Sequence, residues 1–61
     1  MSVVFQEHDG VLVGIGARGR RWHVTKIVAG WRLEFRDPGD ATATYAGTHG
    51  SVQSAVAEAD S

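Results

Sequence analysis

Across residues 31–36 the chain reads Trp-Arg-Leu-Glu-Phe-Arg, a strict alternation of apolar and charged side chains. A period of two puts Trp31, Leu33 and Phe35 on one side of a strand and Arg32, Glu34 and Arg36 on the other. Such a strand needs one covered face and one solvated face, so its neighbours have to supply an antiparallel sheet and something to lie across the apolar side. Only 61 residues are available, and none is a cysteine that could cross-link them. The expectation is therefore one domain, 1–61, built on an economical core near the lower size limit for independent folding.

The flanking sequence supplies the partners. Asp9-Gly10 separates two β-prone runs, 3–8 and 11–15, and a D-G pair in that setting predicts a hairpin closed by a type I′ turn. Residues 22–28 form the next β-prone run, and Ala29-Gly30 reverses the chain into 31–36. Asp37-Pro38-Gly39-Asp40 predicts a turn, with proline presetting φ and glycine accepting a positive one, and 41–46 follows as a weaker strand. From Ser51 the period changes to about 3.6: Val52, Ala55, Val56 and Ala59 make one stripe of small apolar residues, with Ser51 as N-cap. This reads as an α+β fold: a small antiparallel β-sheet of three main strands plus an N-terminal hairpin, with one C-terminal α-helix packed on one face. Residues 1–17 form the hairpin extension and 21–60 the three-strand-plus-helix unit. Leu33 and Phe35 are expected beneath Val52, Ala55 and Val56, and both Trp22 and Trp31 in the core.

Several kinds of chemistry are excluded at this level. The stretch GIGARG carries Gly14, Gly16 and Gly19 in the G-x-G-x-x-G spacing of a dinucleotide loop. Such a loop needs a helix opening at its last glycine. The sequence after Gly19 is strand-like, so the glycines are expected to mark a bulge or a link between hairpin and sheet. His8, His23 and His49 are scattered, which gives no metal site. Ser51 and Ser54 near His49 read as helix-start residues, not as nucleophiles. No paired carboxylates share a strand face. The chain is expected to be no enzyme, with no cofactor and no small-molecule substrate. Its apolar runs are too short to cross a bilayer, so the expectation is a cytoplasmic protein.

The net charge of −1 conceals a segregation. All six basic residues, Arg18, Arg20, Arg21, Lys26, Arg32 and Arg36, lie between positions 18 and 36, where Glu34 is the lone acid, so the stretch carries +5. That asymmetry points to an anionic partner. The Arg32/Glu34/Arg36 face, left free by the helix, suits guanine edges or phosphates.

The second half resembles a known family. WRLEFRDP at 31–38, followed by YAGTHGSVQSAVAEAD at 45–60, is similar to the plant ethylene-response-factor, or Apetala-type, DNA-binding domain. That family has a strand with Trp and then Glu-x-Arg-Asp-Pro, an aromatic before x-Gly-Thr, and an alanine-rich helix. The arm-binding N-terminal domains of phage-type integrases share this three-strand-plus-helix design. The resemblance covers residues 21–60 and departs from the family at Val24, Val28 and Ala43. It implies a sheet laid in the major groove of double-stranded DNA, with Glu34, Arg36 and Tyr45 as contacts, joined by Arg21 and Lys26; Arg32 is added from the charge pattern. A phage or bacterial regulatory or recombination accessory protein is the function implied. The alternative is a protein-interaction module or homodimer without nucleic-acid activity, pairing through the N-terminal hairpin or a sheet edge. Tyr45 separates two registers one residue apart. Burial alone turns it inward with Ala41 and Ala43, whereas the resemblance turns it outward beside Arg32 and Glu34, which is the expected side.

Overall fold

The computed structural model describes residues 3–60. Five strands run in chain order: β1 (Val4–His8), β2 (Val11–Ile15), β3 (Arg21–Ile27), β4 (Gly30–Arg36) and β5 (Thr44–His49). A nine-residue helix, α1 (Val52–Asp60), follows. The strands make one antiparallel sheet in the order β1-β2-β3-β4-β5, so every strand pairs with its sequence neighbours. The fold is α+β, with one helix lying across β3, β4 and β5.

Local chemistry accounts for most of the path. Asp9 and Gly10 both have positive φ, 52° and 82°, the backbone a type I′ turn requires. A short 3-10 turn at Ala17–Gly19 links β2 to β3. Val28 and Ala29 form the tight connection between β3 and β4. At 37–40 the Asp40 N–H donates to the Asp37 carbonyl at 3.0 Å. Ser51 caps α1, its Oγ accepting the Ser54 N–H at 3.1 Å.

Two expectations are corrected. The hairpin is no appendage, because β2 pairs with β3 along its whole length from Val11↔Thr25 to Ile15↔Arg21. The sheet is thus a continuous five-strand meander. The last strand also lies three residues later than the expected 41–46. Residues 37–43 are taken up by the connection, pairing begins at Phe35↔Thr44, and the strand then carries a β-bulge. Leu33 pairs with Gly47 but Glu34 pairs with Tyr45, leaving Ala46 as the extra residue on β5.

The core lies between sheet and helix. Val24, Leu33 and Ala55 are fully buried, and Val3, Trp22 and Ala59 nearly so. Phe5, Leu12, Trp31, Phe35 and Ala46 pack around them half-buried. The buried face of α1 is thus Ala55 and Ala59, with Val52 and Val56 at its margins rather than at its centre. Short side chains there let the helix approach the sheet closely. Gly14 makes room for Val3 and Phe5 on the same side of the sheet. A Cβ on it would come 2.7 Å from Val3 Cγ1 and 3.0 Å from Phe5 Cδ2. The glycine spacing that suggests a nucleotide loop therefore contains, at its first position, a packing residue inside a strand.

Candidate nucleic-acid interface

The pairing register determines which side chains share the helix-free face. Arg32, Glu34 and Arg36 stand opposite Thr25, His23 and Arg21 of β3. On the other side of β4, Arg32 and Glu34 stand opposite Thr48 and Tyr45 of β5. The face therefore gathers Arg21, Arg32, Glu34, Arg36 and Tyr45 from three adjacent strands. Lys26 is not among them. It pairs with Trp31, on the parity of Trp22 and Val24, and its ammonium lies 5.5 Å from the Trp31 ring centroid on the helix side of the sheet. Val24, where the sequence departs from the family pattern, is a core residue, and Val28 stands fully exposed in the β3–β4 turn.

The bulge resolves the position of Tyr45. With Ala46 as the extra residue, Ala46 packs against the core while Tyr45 and Thr48 both reach the outer face. Two side chains three positions apart on a strand share a face only if the alternation is broken between them. Tyr45 is 56% exposed, its hydroxyl lies 2.7 Å from Thr48 Oγ1, and the Arg32 guanidinium sits 5.2 Å from its ring centroid. Arg32 Nη2 also lies 3.5 Å from Glu34 Oε2. These four side chains form one connected shelf.

Arg21 and Arg36 differ in kind. They are direct cross-strand partners at the end of the sheet, both exposed. Among the described residues neither has an ion-pair partner. Like charges directly opposite one another are destabilising, and neither arginine is neutralised by a direct ion pair, although Asp37 and Asp40 line the same cleft.

Arg20 shows the contrast. Its guanidinium meets the Asp37 carboxylate twice, Nε to Oδ1 at 2.7 Å and Nη2 to Oδ2 at 3.0 Å. It also stacks 3.8 Å from the centroid of Phe35, whose ring lies 5.1 Å from that of Trp22. The hydrogen bond from Arg20 holds the Asp37 carboxyl below its ordinary value, and the same bond raises Arg20. Arg20 is a structural clamp between the 16–20 segment and the 37–40 turn, not a free cation.

Sequence reasoning passed over His23, which stands on the outer face directly opposite Glu34; its parity with Arg21 and Thr25 is the signal that finds it. His49 Nδ1 lies 2.9 Å from Ser54 Oγ. Its Nε2 is buried with no hydrogen-bond partner among the described residues, close to where a Cβ on Gly47 would stand. We assign the Nδ1–H tautomer, which donates to Ser54 and leaves only a lone pair buried. The ring thereby ties β5 to α1. No helix among the described residues is long and apolar enough to cross a membrane. No protein-family model matches the chain, and comparison with curated proteins and with solved structures gives no match.

Proposed function

We propose that the protein is a small nucleic-acid-binding protein that lays the helix-free face of its sheet on double-stranded DNA, in a regulatory or recombination accessory role. The observation that carries this reading is the Arg21–Arg36 pair: two exposed arginines directly opposite one another on adjacent strands, with no carboxylate within ion-pair distance among the described residues. A phosphate between them relieves their repulsion and accepts from both forks. The Tyr45–Arg32 shelf beside them offers a flat ring and a second guanidinium, the groups that stack on bases and read guanine edges. A two-stranded ribbon fits the major groove, and the resemblance to the ethylene-response-factor domain supports Glu34, Arg36 and Tyr45 as its contacts. Lys26 is left out of the proposed surface because its parity sends it to the helix side.

The test is fluorescence anisotropy with a random duplex at several salt concentrations. Binding that weakens steeply as salt rises, through counterion release, supports the reading. Absence of duplex binding by the wild-type protein at low salt refutes it and favours the protein-interaction module. That second reading has its own observation in Val4 and Ile15, a cross-strand pair on the hairpin that is 73% and 60% exposed.

A further inference from the structure

The two edges of the sheet are not alike. On β5 the bulge at Ala46 distorts the edge, and a bulge of this kind protects an edge from further pairing. β1 has no bulge, and its one acidic residue, Glu7, stands on the parity of Leu12 and the helix face. It is regular along all five residues of its pairing with β2, from Val4↔Ile15 to His8↔Val11, and holds no proline, lysine or bulge.

The hairpin turn fixes which backbone groups of β1 are free. His8 and Val11 flank the two-residue turn at Asp9-Gly10, so they exchange hydrogen bonds, and the alternation of an antiparallel ladder makes Gln6 and Val4 the next inward-bonding residues. Phe5 and Glu7 then aim their N–H and C=O groups out of the sheet. Val3, next along the same edge, gives its N–H to the Asp60 carboxylate.

We infer that β1 pairs with β1 of a second copy of this chain, antiparallel about a two-fold axis at Gln6. In that register Phe5 of one copy lies opposite Glu7 of the other, and each such pair exchanges its N–H···O=C bonds. Val4 lies opposite His8, and Gln6 opposite Gln6. Every free edge group of Phe5 and Glu7 is used, and no like charges face one another. Sliding by two residues in one direction sets Glu7 against Glu7. Sliding by two in the other sets the Glu7 carbonyl against the N–H of Val3, which Asp60 already holds, and leaves that carbonyl without its donor. A slip by one turns the outer face of one copy inward. The edge is thus self-complementary in one register, which is what an isologous interface demands. The exposed Val4 and Ile15 of each hairpin then flank the seam on the outer face. This pairing does not rest on the nucleic-acid reading, since it uses no basic residue.

The experiment exploits the absence of cysteine from the chain. Gln6 at the axis is a non-hydrogen-bonded pair, with Cα atoms about 4.5 Å apart, inside the range a disulfide spans. The two His8 residues are roughly 13 Å apart along the strand direction. Gln6→Cys should therefore oxidise to a covalent dimer at least about tenfold faster than His8→Cys, because association holds only the first pair together. The wild-type protein should sediment as a monomer–dimer equilibrium below about 500 µM, the weak regime expected of a small interface, and its position should barely respond to salt. Glu7→Pro removes an outward N–H and leaves the β1–β2 bonds intact. It should sediment as a monomer with an unchanged far-ultraviolet circular dichroism spectrum. Equal oxidation rates for the two cysteine variants, a wild-type monomer at the highest concentration, or a folded Glu7→Pro that still dimerises each overturns the pairing.

Discussion

Leu33→Ala tests the centre of the structure. Leu33 is the largest side chain with no exposure, with Val24 opposite it on β3 and Gly47 on β5, and it shares the core with Ala55. Deleting its three outer carbons forfeits about 2.4 kcal/mol of transfer free energy. Val24, Gly47 and Ala55 are too short to fill the void, and the cavity term brings the expected loss to about 4 kcal/mol. A domain of this length holds about 3–9 kcal/mol in total. Urea titration followed by tryptophan fluorescence is the natural assay, since Trp22 belongs to the same buried cluster. With a slope of about 1 kcal/mol per molar for a small domain, the midpoint should fall by about 4 M, enough to leave the variant largely unfolded in water if the reserve is at the low end. Val4→Ala, on the exposed side of the hairpin, should stay within about 0.5 kcal/mol. A midpoint shift for Leu33→Ala below about 1 M at unchanged slope would show that Leu33 is not the point on which helix and sheet converge.

Other perturbations probe the remaining parts. Gly30 has φ 140°, and a Cβ there would overlap the His49 carbonyl oxygen; Gly30→Ala should cost about 3 kcal/mol in thermal or urea unfolding, and an unchanged melting curve contradicts the β4–β5 register. Because Arg20 holds the Asp37 carboxyl below its ordinary value, the folded state favours the carboxylate. That stability is complete above the unfolded-state pKa, near 3.8, and is lost as pH falls through the depressed folded one. Asp37→Asn should accordingly lower the melting temperature at neutral pH and flatten its decline below about pH 4, and parallel profiles for the two proteins argue against the clamp. Arg21→Ala and Arg36→Ala each remove one member of a repelling pair, so neither should lower the melting temperature. Each should weaken duplex binding by about 1–3 kcal/mol if it reads a base edge, or reduce the salt slope by about one if it meets a phosphate; unaltered affinity in the double variant removes the proposed surface.

What the sequence revealed was local. The parity of residues 31–36, the D-G turn and the change of period at Ser51 each depend on neighbours a few positions away, and each appears in the structure where expected. What it hid was pairing. No property of residues 41–50 alone announces that Ala46 is a bulge; that depends on Leu33 and Glu34 across the ladder, and the start of β5 depends on where pairing with Phe35 begins. The outward Tyr45 followed from the resemblance, not from the apolar pattern, because the bulge breaks that pattern. The union of hairpin and sheet was equally silent, since a glycine at 14 makes sense only once Trp22 is opposite it and Val3 and Phe5 crowd against it. The resemblance groups Lys26 with the arginines, while its parity already sets it with Trp22 and Val24. Arg20 and Asp37 meet across 17 residues, beyond the reach of any local pattern.

The ordering of the five strands has a consequence for how fast the chain reaches this state. Because each strand bonds only to the one before and the one after it, the sheet grows by successive short closures, with no crossover to thread and no distant strand to await. The entropic cost of each closure is that of a connection a few residues long, so relative contact order is low for a sheet protein and folding should approach the millisecond regime of mixed α/β domains, not the slower one of β-sandwiches. The type I′ turn at Asp9-Gly10 gives the process a starting point that forms in microseconds. The bond between Val3 and Asp60 spans 57 positions and is the natural last event, joining the two ends of the chain after the sheet has zipped up.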